Sequence, residues 1–407
     1  VVFFAVCLIL SLWAGVQAND LTTLSGTLQD MVDSASDGAT IYVPEGLYRE
    51  NVLINKNLTV LGDGIDRTCV DGNGNGPVFT IVPNRMGNVQ IKFRGMTIRN
   101  GRASYGAGVN CTSNTSISVY NCKITENNAS SRGGAIALDV YTNAVISGGE
   151  LTNNTAVIGG GINSFSDSLA LSDVKIAKNK AKSGGGGIYT YGNCSIIDSK
   201  IDGNFADEGG AIVNWGILEI GRSIIVNNYA SRDSGGICND LPTITSRSLS
   251  NGQDINAGTL ILNPGVSIVN NTAEEFVGGV LNGVNGVLIA YGTVIEDNKA
   301  DSGAGIAAFG SPKTELNNVK IIGNHADNRG GGLGYLYNCN VTLNGGEIKY
   351  NAARFGGGMA GKGNVQVNGT DVSGNTAEVG GAIYNEGTMN LKGGSIAKNI
   401  PDDIHCP

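Results

Sequence analysis

A short phrase, Asn-x-Ala followed by a cluster of glycines and an aliphatic residue, occurs ten times between Asn127 and Ile383. Asn154-Thr-Ala-Val-Ile-Gly-Gly-Gly-Ile162 and Asn375-Thr-Ala-Glu-Val-Gly-Gly-Ala-Ile383 are two examples. The leading residues are Asn127, Asn154, Asn179, Asn204, Asn228, Asn271, Asn298, Asn324, Asn351 and Asn375, and Asn399 stands where the next phrase would begin. The steps between them are 27, 25, 25, 24, 43, 27, 26, 27, 24 and 24. A fixed period of this kind marks a solenoid, and it is too short for a helical repeat of roughly 33 residues or more. A leucine-rich repeat is excluded because the L-x-x-L-x-L pattern is absent. The remaining solution is one coil of a parallel β-solenoid per repeat.

Local pattern agrees. An aliphatic residue stands three before most of the asparagines, as at Leu151, Ile176, Ile201, Ile295, Ile321, Ile348 and Ile396. Alternating runs such as Ser116-Ile-Ser-Val-Tyr120 precede it and read as strands with one buried face. Asn tolerates a left-handed backbone, and its amide both donates and accepts along a stack. The repeated asparagines are therefore expected to form a ladder between coils. The residue between Asn and Ala varies freely, from Lys180 to Phe205 to His325, and is expected to point outward. Sixty-three glycines suit a low-complexity chain, but the strict period and 41% apolar content do not.

Residues 1–18 are apolar and end in Val16-Gln-Ala18, as a secretory signal peptide with a small-residue cleavage site does. The run is short for a membrane anchor, so no transmembrane segment is expected once it is removed. Residues 19–36 carry Leu24, Leu28, Met31, Val32 and Ala35 at helical spacing, the pattern of a capping helix over the open first coil. The β-helix is placed at 37–407, with a loop insertion at 239–258 accounting for the step of 43.

Asp37-Gly-Ala-Thr-Ile-Tyr-Val-Pro-Glu-Gly-Leu-Tyr-Arg-Glu-Asn51 and the strand-like run Val52 to Asp63 resemble the opening coils of the pectin lyase-like right-handed parallel β-helix superfamily. The later repeat is similar to those of chlamydial polymorphic outer-membrane proteins. The resemblance covers Asp37 to Asn399 and implies an all-β, right-handed, single-stranded parallel β-helix. Such a chain makes about thirteen coils and a rod of roughly 60 Å at the usual strand spacing.

Nine N-x-Ser/Thr sequons begin at Asn57, Asn110, Asn114, Asn128, Asn153, Asn193, Asn270, Asn340 and Asn368. Beside a signal peptide they point to N-glycosylation in a secretory route. Asn128 lies at the outward variable position and is the first choice. Asn153 and Asn270 directly precede ladder asparagines and are set aside as crowded. Seven cysteines follow the signal, and only Cys111 and Cys122 share a coil, so they are the one local disulfide expected.

Chemistry is harder to find. A net charge of −8 argues against nucleic acid as a simple electrostatic partner. Superfamily enzymes act on polysaccharides, with paired carboxylates for hydrolysis or a basic residue and calcium for elimination. The polygalacturonase-like Asn-Thr-Asp, Asp-Asp and Gly-His-Gly set is absent, as is a convincing methylesterase-like pair of aspartates with its arginine. Asp207-Glu208 and Glu274-Glu275 read as turn residues. His325 reads as a surface residue and His405 stands near the end of the chain. Lys92, Arg94, Arg99 and Arg102 form a basic patch, most simply a solvated strand face, with a carbohydrate or partner patch as the alternative. No catalytic, cofactor-binding or metal-binding residue is assigned, and calcium enters only with the lyase alternative.

The expectation is a secreted, N-glycosylated structural or adhesive β-helix at the cell surface or outside it. Its partners would be an extracellular protein or glycan, or another copy docked at the C-terminal end through Cys406. Two alternatives have their own signatures. Three or more charged residues converging on neighbouring coils would favour a polysaccharide lyase, hydrolase or epimerase. Outward aromatics such as Tyr189, Tyr191, Phe205 and Tyr229 aligned along the axis would favour a glycan-binding module.

Overall fold

The computed structural model describes residues 26–84, 87–239, 258–310, 312–336, 339–401 and 403–407. The expected signal segment, 1–18, and most of the expected insertion lie outside them. The helix near the N-terminus is short, Leu28–Ser34, within the expected 19–36. A capping box of Thr27 and Asp30 begins it, and Leu28, Met31 and Val32 bury its apolar face. The Glu50 carboxylate accepts from the Leu28 and Gln29 N–H groups at 2.8 and 3.0 Å. Gln29 in turn bonds both the N–H and the C=O of Leu53, on the edge of a sheet. The helix thus covers an edge that would otherwise be unpaired.

From Ala39 onward the chain is a parallel β-solenoid. Its strands form sheets of 26, 14 and 9 members. The largest is two faces joined, because Thr115–Thr125 and Asn143–Thr152 run continuously around the bend between them. The 14-stranded sheet takes one strand per coil, from Val52–Ile54 to Ile404–His405. Fourteen strands leave thirteen intervals, a rod of roughly 62 Å at 4.8 Å each.

Register makes the interior repetitive. Ile124, Leu151, Ile176 and Ile201 pair in sequence down one ladder, each at most 1% exposed. One apolar core runs from Leu28 to Ile383. Smaller alanine clusters, such as Ala230, Ala273, Ala300 and Ala326, line the nine-stranded face. Glycine is demanded where the turn beside them brings backbones together. A Cβ on Gly160 would come within 2.5 Å of the Gly186 carbonyl oxygen, far inside contact distance. Gly159 before it has φ +64°, which a glycine adopts without strain.

The asparagines are buried, from Asn127 at 0% to Asn399 at 8% exposed. Each Oδ1 accepts from both the N–H and the Nδ2 of the asparagine one coil earlier, as Asn179 does from Asn154 at 3.0 and 2.9 Å. Each Nδ2 also donates to a backbone carbonyl of the earlier coil, as Asn154 does to Ile124 at 2.9 Å. The long step from Asn228 to Asn271 keeps both bonds, at 3.0 and 2.9 Å, so the insertion leaves the ladder unbroken. Gly101 N–H opens the ladder on Asn127, and the Asp403 carboxylate closes it on Asn399.

The left-handed residue is not the ladder asparagine but the one before it. Glu126, Asn153, Lys178, Asn227, Asn270, Asp297, Tyr350 and Lys398 have φ between +52° and +60° at that place. The asparagine is needed for its amide; its neighbour makes the turn. A second, shorter ladder joins Asn214, Asn239 and Asn282 at 2.8 Å per step and ends on the Thr314 hydroxyl. Asn239 therefore belongs to the solenoid, and so does Gly258, whose carbonyl it bonds. The insertion proper is 240–257.

Candidate functional site

The sequons fall into two groups. Asn114, Asn128, Asn193 and Asn340 are exposed. Asn57, Asn110 and Asn368 are half-buried; Asn57 Nδ2 donates to Asp37 and Asn368 Nδ2 to Asn344. Asn153 and Asn270, set aside for crowding, are both exposed, because the left-handed turn throws the side chain outward.

Cys111 and Cys122 are buried, unbonded thiols. They share a coil but enter the core from different walls, Cys111 on the 14-stranded sheet and Cys122 on the 26-stranded one. The expected disulfide is not made. Burial pushes the Cys122 thiol up to about 11 and Cys194 to about 12, and Cys111 rises for the same reason.

Aromatic rings do line up along the axis. Phe165 lies 4.4 Å from Tyr191, and Tyr191 lies 4.5 Å from Trp215, each one coil apart. Phe205 and Tyr229 stack at 5.3 Å with rings 14° from parallel, and Lys180 covers the free face of Phe205. Trp215 and Tyr189, 5.5 Å from it, are not accessible: Tyr189 is 7% and Trp215 is 8% exposed, packed with Val213 and Cys238 outside the sheet. Tyr189 occupies an outward register, yet its neighbours Val213, Trp215 and Cys238 pack around it. Rings stacked along the axis spend their faces on one another, whereas a sugar needs an open face.

Charged side chains meet across neighbouring coils at several places among the described residues, as at Lys123, Glu150 and Lys175 and at Lys320, Glu347 and Lys349; one such cluster brings two carboxylates together. Glu208, at the end of the strand Phe205–Glu208, is the register partner of Asp233, at the end of Tyr229–Asp233. Arg232 reaches Glu208 and stands 3.6 Å from Asp233. Asp207 accepts from Ser231 at 2.7 Å. Burial, then the Glu208 charge, hold the Asp233 carboxyl above its usual range, and its Oδ1 is buried with no hydrogen-bond partner. Glu208 is thus a strand-end residue facing a second carboxylate, not a turn residue. Glu274 takes a hydrogen bond from the Tyr229 hydroxyl.

The basic patch divides. Lys92 and Arg94 point outward from Val89–Arg94, and Arg102 is on the nine-stranded sheet. Arg99 instead donates from Nε to Asp71 at 3.0 Å and lines a cavity of about 450 Å³ on the outer face of the first coils. Its floor is Leu47, Cys69, Thr97 and Lys123, consecutive partners down one outward ladder. Its wall is Ile65, Asp66 and Arg67, a turn longer than the later coils possess, tied down by the Thr97 hydroxyl donating to the Ile65 carbonyl. His325 is exposed, 3.4 Å from Asp327, and His405 stacks on Tyr384. Among the described residues no three His, Cys, Asp or Glu side chains are placed to hold a metal ion, and no helix is long and apolar enough to cross a membrane.

No protein-family model matches the chain. Thirty-eight residues, 9% of the chain, are 60% identical to a probable pectinesterase/pectinesterase inhibitor of Arabidopsis thaliana. The match spans 7% of that protein's length. Among solved structures, a pectin methylesterase mutant in complex with hexasaccharide IV is 13% identical, with 53% of this chain and 77% of that chain covered and a TM-score of 0.31. A Geobacillus virus E2 protein, ORF18, is 14% identical, with 89% and 57% covered and a TM-score of 0.26. These similarities are too distant to carry an activity across. The strand registers themselves establish the parallel β-helix that the pectin lyase-like resemblance implies.

Proposed function

We propose that the chain is a secreted, N-glycosylated, rigid element of an extracellular surface, structural or adhesive in use. The observation that carries this reading is the closed asparagine ladder from Gly101 to Asp403. It ties coil to coil through buried side-chain amides, as a rigid rod requires. The partner would be an extracellular protein or glycan, or a second copy joined through the exposed Cys406. After expression in secreting eukaryotic cells, glycosidase treatment should increase gel mobility, and replacing Asn128 by Gln should remove one step of it. An unglycosylated chain retained in the cell would overturn the reading.

A carbohydrate-active enzyme is the second reading, favoured by the convergence of Glu208, Arg232 and Asp233 and by the short pectinesterase match. The protein should be incubated, with calcium, against acidic and neutral polysaccharides, following polymer length and released methanol. The structural reading expects neither to change. Shortening or methanol release that Asp233→Asn abolishes would establish the enzyme instead.

A further inference from the structure

We propose that the cavity on the outer face of the first coils binds a small ligand bearing an oxyanion group, held jointly by Arg67, Arg99 and Lys123. This site is independent of the structural reading above. At about 450 Å³ the cavity is of ligand-binding size. Its three cations come from separate coils and line the same cavity, although the chain carries a net charge of −8. Existing partners leave donors unspent. Arg99 gives Nε to Asp71 and keeps its terminal nitrogens. Lys123 gives one of three ammonium protons to Glu150 at 2.9 Å. The exposed Arg67 guanidinium makes no ion pair among the described residues.

A guanidinium pair with a flanking ammonium is the donor set that a carboxylate, sulfate or phosphate takes. Asp66 and Glu126, which also line the cavity, offer acceptors to ligand hydroxyls. The site exists because one turn is long. Where later coils close tightly, Ile65 to Arg67 stand up as a wall, and Thr97 pins that wall in place.

The test is calorimetric titration of the mature protein with glucuronate, inorganic sulfate and inorganic phosphate, with glucose as the uncharged control. At least one anion should bind saturably, and glucose should not. A carboxylate ligand is indicated if glucuronate alone binds, and a tetrahedral group if sulfate or phosphate does. Arg67→Gln should weaken binding about tenfold, the loss of one charge-assisted contact, with the melting temperature unchanged. Arg94→Gln, an outward arginine off the cavity, should leave affinity unchanged. Absence of saturable binding, indifference to Arg67→Gln, or equal weakening by Arg94→Gln would each overturn the proposal.

Discussion

The first three coils and the eleven that follow build the same cross-section by different means. Before Ile136 the core is filled by unlike side chains, including Phe79 and Phe93 with ring centroids 4.6 Å apart, and by Met96. Its polar contacts are single, such as Asp71 with Arg99 and Asn100. After Ile136 aliphatic residues stack on their equivalents and buried asparagines bond one another, coil after coil. The irregular part supports a long turn and a cavity; the repetitive part supports a closed ladder, with charged side chains paired from coil to coil. Repetition favours stiffness, because any departure from the average coil breaks contacts on both sides.

Removing a large core side chain from the irregular end should have the greatest effect. Phe93→Ala is expected to cost about 4 kcal/mol, with faster amide hydrogen exchange confined to the coils around it. In the regular part, Asn271→Ala removes bonds to Asn228, Asn298 and Ile225. It is expected to cost about 3 kcal/mol, because the partners left behind are buried. Asn128→Ala at the exposed variable position should change stability by less than about 0.5 kcal/mol. Denaturant titration with hydrogen exchange measures all three. If Asn271→Ala were as mild as Asn128→Ala, the ladder would not be what distinguishes the two regions.

Much of this contrast is legible in the sequence, and what is not has identifiable causes. The repeat alone reveals the ladder, since hydrogen bonding between equivalent asparagines needs only the same place in each coil, not equal spacing, as the 43-residue step shows. The Asn214, Asn239 and Asn282 ladder also leaves a signal, an aliphatic residue two before each asparagine, but over three coils it is too brief to stand out. The burial of Tyr189 and Trp215 is invisible because it comes from neighbours on the same outer face, Val213 and Cys238, in a cluster whose residue types do not repeat from coil to coil. Cys111 and Cys122 look like a pair because spacing within a coil does not say which wall each residue enters. The cavity is hidden for the opposite reason: it depends on the Ile65 to Arg67 turn, which occurs once, and a period cannot report what does not repeat.

Two aspartates, one from each region, sharpen the comparison through pH. Burial raises the Asp71 carboxyl, but the Asn73 N–H, Asn100 and Arg99 outweigh it and hold the pKa below the ordinary 3.8. Its stabilisation is therefore present above pH 3.8 and is lost as the pH falls through the lower folded value. Asp71→Asn should cost about 2 kcal/mol at pH 7, the loss of charge-assisted hydrogen bonds. The cost should shrink in acid. Acid should therefore loosen the first coils through this residue.

Asp233 carries the opposite sign and a smaller effect than Asp71. Burial first, and the Glu208 charge second, raise its pKa above 3.8. Between 3.8 and that raised value the folded chain binds more protons than the unfolded one, so stability falls as the pH rises through this window. Above the window the ionised carboxylate is a standing cost, with Oδ1 unpartnered and Arg232 the compensating charge. Asp233→Asn should consequently raise Tm at pH 7, by about 1 °C, and the gain should fade below pH 3.8. Melting curves of the two asparagine variants from pH 3 to pH 7 should diverge in opposite directions. A fall in Tm for Asp233→Asn at pH 7 would mean that Arg232 more than compensates for burial and that the Glu208–Asp233 pair is an ordinary structural contact.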